Sequence, residues 1–599
     1  MSLPGTIHGL TTLAQRAMVL ALVGATSALS QSLGKNADHA AATRRHPPEW
    51  KNLDGNSINC TIASDGPYAD YRKTNNAGME WPSGSGMTPV FCAGIWFIGY
   101  HAPTGALRTA QMDYGTEYQP GPLLTQFNTT TNDDWAAKAN SQDPRYRAYK
   151  IDRFAPDGDS RHGLDPWSEW PGDLGAPSQD VNANGIWDPM IDLPEFTGRQ
   201  MVWTVFNDAN YSLHAALGAT APMGIEVQCL YSAFNLRGPL DSAIVIRWRI
   251  FNRSDADYQE VYLGLWSDVD LGDANDDLPG CDTTLDLGFV YNGDSLDGSE
   301  LYGGPSHAYD SLPPAIGFQL LQGPKIPGTS DDSARFYSSW RAGYKNLRAT
   351  SIITPGKTSF LELVDPPDGH PEYPGIAYDY LLGKAGTVHR YLLRPDGTVN
   401  LYWFSGDPVA GTGDLPENFV LGEFRPQDLR ILVNTGPFAL ARGDTQEVVA
   451  AVFLARGRDY LHSVTKLKEH GRYIRAMFEN DYRFLNVPSQ PGGSDIREDF
   501  VPAEFVLRQN YPNPFNPATT LEYELPEPAG ITICVFDCFG RDTRTLVQAQ
   551  HPSGLFSVKW DGRDRDARQL ASGVYFARFE ALLLDGSLRI FIRKMILVR

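Results

Sequence analysis

Cysteine is scarce. Six occur in 599 residues (Cys60, Cys92, Cys229, Cys281, Cys534 and Cys538), and none stands in a Cys-x-x-Cys or Cys/His spacing. A disulfide-dense scaffold and the common zinc fingers and ribbons are thereby excluded, while pairing among the six is left open. Long apolar runs are missing too. A spanning helix needs about twenty such residues; the N-terminal run at 17–29 has thirteen, and no later stretch is long enough. Positive charge is short, with 51 Lys and Arg against 71 Asp and Glu, a formal net charge of −20. That balance repels phosphate backbones and anionic lipid, so nucleic acid is not an expected partner. The signatures HExxH, GxSxG, the P-loop and a GxGxxG with its acidic residue are all lacking. So is any repeat period of a propeller or solenoid.

What is present is enough apolar surface for real cores: 42% hydrophobic and 11% aromatic residues. The length predicts two to four domains. Residues 1–30 read as a secretory signal peptide, with Arg16 before the apolar run and small residues Ala28 and Ser30 before a cut at Gln31. Residues 31–90 are polar and rich in Asn, Gly and Pro, which predicts an extended lead-in. From 91 to 487 the chain predicts a β-rich passenger region.

The nearly continuous apolar run at 91–100 predicts a strand buried on both faces, or one half of a hairpin bent at Gly94. Further strands are predicted at 201–206, 225–233, 243–251, 261–266, 287–291, 315–321, 388–393, 401–404, 429–433 and 447–454. The pair 243–251 and 261–266, separated by Asn252-Arg253-Ser254-Asp255, predicts a β-hairpin with a long connection. Helices are predicted at 133–142 and, with a partial apolar stripe, at 460–482, where Gly471 weakens the middle. The fold class is therefore mostly β, a large antiparallel sandwich-type body. PSQPGGS opens a linker at 488–503.

Two acidic stretches stand out. In Asp180-Val181-Asn182-Ala183-Asn184-Gly185-Ile186-Trp187-Asp188, oxygen side chains at positions 1, 3 and 5, with Gly at 6, let a loop wrap a hard cation. The Ile186 carbonyl falls at 7 and Asp188 at 9. The pattern resembles the calcium loops of EF-hand, dockerin and thrombospondin-type repeats. It departs at position 12, where Ile191 replaces the bidentate Glu, so that Asp192 or Glu195 must close the shell. The second stretch holds Asp268, Asp270, Asp273, Asp276 and Asp277. Five carboxylates in ten residues repel one another unless cations separate them, which again predicts Ca2+. Trp167, Trp170 and Trp187 crowd the first stretch and predict either a loop-held core or a sugar-stacking platform, the core being favoured.

The chain's last hundred residues carry its most specific pattern. NYPNPFNP at 510–517 places three prolines in eight residues, which forces an extended lead-in. Short alternating strands follow at 520–525, 531–540, 556–560, 573–579 and 589–598, predicting a small antiparallel sandwich. The blocks Gln509 to Pro517, Val535-Phe536-Asp537 with Gly540, Trp560-Asp561-Gly562, Ala571-Ser572-Gly573-Val574-Tyr575 and Lys594-Met595 closely resemble the C-terminal sorting domain of the type IX secretion system. That module is immunoglobulin-like and related to one in flagellar hook-capping proteins. The resemblance covers residues 504–599, and implies recognition by an outer-membrane translocon and delivery to the cell surface or medium after passage through the periplasm. These 96 residues carry 12 basic against 11 acidic side chains, leaving 39 against 60 ahead of them, so the acidity belongs to the passenger.

The expectation is thus a secreted or cell-surface, calcium-stabilised β-rich protein with a structural, adhesive or filament-forming role, open to self-association or a surface ligand. The alternative is an extracellular hydrolase acting on polysaccharide or protein. Convergent carboxylates or a histidine dyad in a pocket would favour the enzyme; flat exposed sheet edges would favour assembly.

Overall fold

In a computed structural model the chain is described over residues 48–479 and 505–598, apart from 130–142, 217–219, 237, 299–307, 310, 337–338, 356–373, 386–388, 395, 417–425, 511, 527–528, 552–553, 567 and 584–586. The expected signal peptide, the helix at 133–142 and the linker at 488–503 lie outside the described residues.

Among the described residues strand makes up 46% and helix 12%, with no closed barrel, as the β-sandwich-type expectation requires. Two antiparallel sheets build the body. The nine-stranded sheet runs Asp277–Asp282, Leu287–Asn292, Ala315–Gln322, Thr445–Ala455, Ala243–Asn252, Ile225–Ala233 and Gln200–Asn207, the last also pairing with Gln119–Pro120 and Tyr149–Asp152. The five-stranded sheet runs Ser351–Ile353, Leu429–Leu440, Tyr258–Val269, Cys92–His101 and Ala106–Ala110. Side chains of both sheets share one core. A Cβ on Gly288 of the larger sheet would stand 2.7 Å from Ile431 of the smaller, so glycine sets how closely the two approach. Every residue of Cys92–His101 except Tyr100 is buried, which is why that strand reads as an unbroken apolar run.

The chain changes sheet where a hairpin was expected. Ala243–Asn252 pairs with Ile225–Ala233 and Thr445–Ala455, whereas Tyr258–Val269 pairs with Cys92–His101 and Leu429–Leu440. The connecting residues form a corner rather than a turn. Asn252 Nδ2 donates to the carbonyls of Ala256 and Leu440, and Ser254 Oγ donates to Asn252 Oδ1. These bonds satisfy buried backbone oxygens at the corner.

Two other expectations are corrected, and one helix is added. Residues 48–90 are no bare lead-in: Trp50–Leu53, Asn59–Ala63 and Met79–Glu80 form a small sheet, and Ile58, Ile62, Tyr68 and Val90 join the main core. Their strands run two to five residues, too short to leave a periodic signature. The apolar stretch at 401–404 is a buried loop touching Ile352 through a single bridge at Tyr402, its Trp403 and Phe404 filling the core. A helix not anticipated, Pro374–Leu381, packs against the five-stranded sheet, its Leu381 lying over Gly264.

The expected long helix is Tyr460–Glu479. Asp459 caps it by accepting from the His462 amide at 2.7 Å. Val464, Leu467, Ile474, Met477 and Phe478 face the sheet strands Ala315–Gln322 and Thr445–Ala455. Gly471 has a packing reason, since a Cβ there would meet the Phe453 ring at 3.2 Å. All six cysteines are free thiols, four of them buried.

Residues 505–598 enclose a separate core around Leu521, Tyr523, Ile533, Val535, Trp560, Phe579 and Met595. One sheet holds Val506–Leu507, Thr519–Leu525 and Gly554–Trp560; the other runs Asp542–His551, Ala529–Asp537, Gly573–Leu583 and Leu588–Leu597. Asp542–His551 was not anticipated, because its apolar residues Leu546 and Val547 are adjacent and break the alternation. The proline-rich lead-in is pinned to the final strand. The Phe515 amide donates to the Ile596 carbonyl, the Val598 amide to the Phe515 carbonyl, and the Ile596 amide to Asn513 Oδ1.

Candidate metal centres

The first acidic stretch is an exposed loop between the short strands Ser178–Gln179 and Leu193–Pro194, which pair with each other. Ala183 and Gly185 take positive φ (57° and 77°), so the chain curls and turns its amides inward. The loop's own carboxylates accept them. Asp180 receives the Gly185 and Asn184 amides at 2.7 and 3.2 Å, and Asp192 receives those of Val181 and Asp188 at 2.9 and 2.7 Å. Asn182 and Asn184 both donate to Asp188 Oδ2, at 2.7 and 2.8 Å. Asp180, Asn182, Asn184 and Asp188 are thus brought together, with Asp192 closing the loop. Ile186 points its side chain outward, 68% exposed, leaving only its backbone to the loop.

The second stretch divides into two groups. Asp268, at the end of Tyr258–Val269, and Asp270 just beyond it meet Asp428, which precedes Leu429–Leu440; one oxygen of each lies within 4.8 Å of the others. Arg430, facing Asp268 in the strand register, sits among them. Its Nε is 3.0 Å from Asp268 Oδ1 and its Nη1 2.8 Å from Asp428 Oδ1, while Tyr114 Oη accepts from Nε at 2.8 Å. One guanidinium against three carboxylates leaves negative charge in excess. Burial, reinforced by Asp268 and Asp428 and opposed by Arg430, pushes Asp270 up to about 8.

Asp273, Asp276 and Asp277 belong elsewhere. Gly272, at φ +75°, turns the chain away from Asp270 so that Asp273 caps the turn Ala274–Asp276 and Asp277 opens the sheet's edge strand. The partner here is Asp297, which accepts the Asp273 amide at 2.8 Å and the Tyr309 amide at 2.7 Å. A Cβ on Gly272 would fall 1.9 Å from Asp297 Oδ2. Burial, with Asp297 and Asp273 adding, pushes Asp276 up to about 7; burial and Asp276 hold Asp277 well above the usual carboxylate range.

Asp428 and Asp297 were therefore missed. Asp428 adjoins a recognisable strand, but only knowledge that this strand pairs with Tyr258–Val269 would have placed it beside Asp268. Trp167, Trp170 and Trp187 are not an open platform. Trp170 is buried in a small core with Tyr149 and Trp203, and Trp187 lies over Gly172. His101, His162 and His214 each find separate partners: Thr104 and Thr129, Asp159, and the buried Glu117 and Asp208.

No known family profile matches the chain, and no curated protein matches it. Among solved structures it shows similarity to FlgD of Xanthomonas campestris, which acts in flagellar hook capping (15% identity, TM-score 0.13, 15% of this chain and 66% of that one). A polysaccharide lyase matches at 10% identity and TM-score 0.16, over 62% of this chain and 34% of that one. Latent PorU of Porphyromonas gingivalis matches at 11% identity and TM-score 0.14, over 66% and 31%. The chain spans less than two thirds of each of these proteins, and TM-scores of this size carry no shared fold across to it.

Proposed function

We propose that the chain is a secreted or cell-surface β-rich protein, exported by the type IX route through residues 504–599, with a body that calcium holds together. Support for the address comes from where the sorting-domain blocks fall. Asn513 and Phe515 fasten the proline-rich entry to the final strand, Trp560 and Met595 sit at the centre of the terminal core, and Gly562 makes the turn after Trp560 at φ +67°. No residue of that core belongs to the main one. The final strand also turns Leu588, Ile590 and Ile592 outward, each 46–55% exposed, an apolar row suited to contact with a translocon.

The test is deletion of 504–599. The remaining chain should stay in the periplasm, while normal appearance at the cell surface would overturn the address.

For the body, the observation that carries the reading is the Asp268, Asp270 and Asp428 group. Hard oxygen ligands without His or Cys suit Ca2+ rather than zinc or copper. One oxygen of each lies within 4.8 Å of the others, close enough for a single ion to bridge, and Arg430 occupies two of them. Cation holding therefore accounts for the geometry better than acid–base catalysis, which favours a structural or adhesive role over a hydrolase. The Asp180 to Asp192 loop is a second, exposed calcium candidate. Bound calcium measured on the purified protein, and its loss in Asp428→Asn, checks this reading; equal calcium in both would remove it.

A further inference from the structure

Two patches of the body are both apolar and exposed, and they differ in the sign of their charge. The first is the loop at 180–192, where Val181, Ile186, Met190 and Ile191 are 49–89% exposed. The bonds that close the loop gather these side chains. The Gly185 amide on Asp180 draws 186 back towards 180, and the Val181 amide on Asp192 sets 181 beside 191. Residues 180–195 hold Asp180, Asp188, Asp192 and Glu195 and no Lys or Arg.

The second patch is a small three-stranded sheet of Lys384–Ala385, Arg390–Leu393 and Val399–Asn400. Leu392 and its cross-strand partner Asn400 are buried, so the residues alternating with them point outward. Leu393 faces Val399 and Tyr391 faces Lys384, and Tyr391, Leu393 and Val399 are 38–49% exposed. Residues 384–394 hold Lys384, Arg390 and Arg394 and no Asp or Glu. Asp379, which pairs with Lys384 and His389, and Asp396 offset part of that charge, and the exposed Arg390 keeps the face positive.

The patches stand at opposite ends of the sandwich. The loop rests on Gln200–Asn207, since Trp187 lies over Gly172 and Trp170 of the same small core packs on Trp203. The basic sheet rests on Ser351–Ile353: a Cβ on Gly383 would meet Ser351 at 2.8 Å, and one on Gly288 of Leu287–Asn292 would meet Ile352 at 3.1 Å. Five strand spacings of the nine-stranded sheet separate Leu287–Asn292 from Gln200–Asn207, or about 24 Å. Neither patch covers the other within one molecule.

We propose that the basic face of one copy docks on the acidic loop of a second copy of this chain. Loop against loop sets carboxylates against carboxylates, and face against face sets arginines against arginines. Loop against face joins apolar side chains and places opposite charges at the rim. Because the two surfaces differ, the contact does not close on a pair. Each copy keeps one open patch, so copies add head to tail into a chain or ring. The contact requires neither the export route nor a bound ion.

Sedimentation velocity of the full chain tests this. Wild type should gain mean mass between about 1 µM and about 100 µM, and fall back towards monomer in high salt, which screens the rim charges. Met190→Lys spoils the loop and Leu393→Glu the face; both side chains are exposed, so both variants should melt with wild type. Each alone should stay monomeric at about 100 µM. In a mixture, Met190→Lys still offers its face and Leu393→Glu its loop, so the two should form a dimer and stop there. A wild type that is monomeric throughout or unmoved by salt, either variant associating as wild type does, or a mixture that stays monomeric or grows past the dimer overturns the proposal.

Discussion

The two acidic regions have similar compositions and opposite solutions. In the exposed loop at 180–192, Asp180 and Asp192 accept backbone amides and Asp188 accepts two asparagine side chains, so the carboxylates are already hydrogen-bonded. In the partly buried stretch at 268–297, oxygens of Asp276, Asp277 and Asn292 lack donors among the described residues, and, in a separate group, Asp268 and Asp428 share one arginine beside Asp270. The difference teaches that a calcium-like sequence pattern and a need for a cation are separate things. The loop's folded geometry satisfies its own carboxylates, whereas at 276–292 buried carboxylate and amide oxygens go without donors among the described residues.

The sharpest way to break this comparison uses two glycines of nearly equal φ. Gly272→Ala, at +75°, drives a methyl into Asp297 and should cost about 3 kcal/mol or more from backbone strain and overpacking together. Gly185→Ala, at +77° with open space around it, should cost only about 1–2 kcal/mol. Equal losses in denaturant unfolding would mean the stretch at 268–297 is no tighter than the loop.

Calcium comes next in size. At free calcium one hundredfold above Kd, one site adds about 2.7 kcal/mol, seen as a rise in Tm. Asp428→Asn should abolish most of that rise and Asp188→Asn little of it; the reverse order would move the important ion to the loop.

The pH dependence follows from the same stretch. Asp270 and Asp276 titrate at about 8 and about 7 in the native protein, against about 3.9 unfolded. Between those limits the native state holds more protons, so stability falls as pH rises. Metal-free protein should therefore melt lower at pH 8 than at pH 5, and calcium should restore more at pH 8. A flat metal-free profile would show these groups to be hydrated. The smallest expected effect is Asn184→Ala, which loses exposed hydrogen bonds to Asp188 and the Ile186 amide and should cost about 0.5–1.5 kcal/mol in the same unfolding measurement.

Much of the scaffold was legible because its signals are local. The strands at 225–233 and 315–322, the helix at 460–479 and the alternating strands of the terminal unit follow from apolar spacing alone. What escaped depends on pairing between distant residues. Nothing near Asn252 says that the chain crosses to another sheet there. The helix Pro374–Leu381 is short and buried along most of its length, so it shows no polar face to mark a period. Asp268 and Asp270 could be named from their crowding, but Asp428 is about 160 positions away and becomes a neighbour only through the register of Leu429–Leu440 on Tyr258–Val269. Crowding in sequence marked the right stretch and misdrew its grouping.

The strand order has a temporal consequence. Thr445–Ala455 lies in the middle of the larger sheet, between Ala243–Asn252 and Ala315–Gln322, so the centre of that sheet is the piece synthesised after both flanks. Until it arrives, two long apolar strands present raw hydrogen-bonding margins to whatever is nearby, and the closure they await spans some two hundred residues. A nascent body of this kind is slow to consolidate and prone to sticking to its own copies until that strand is in place.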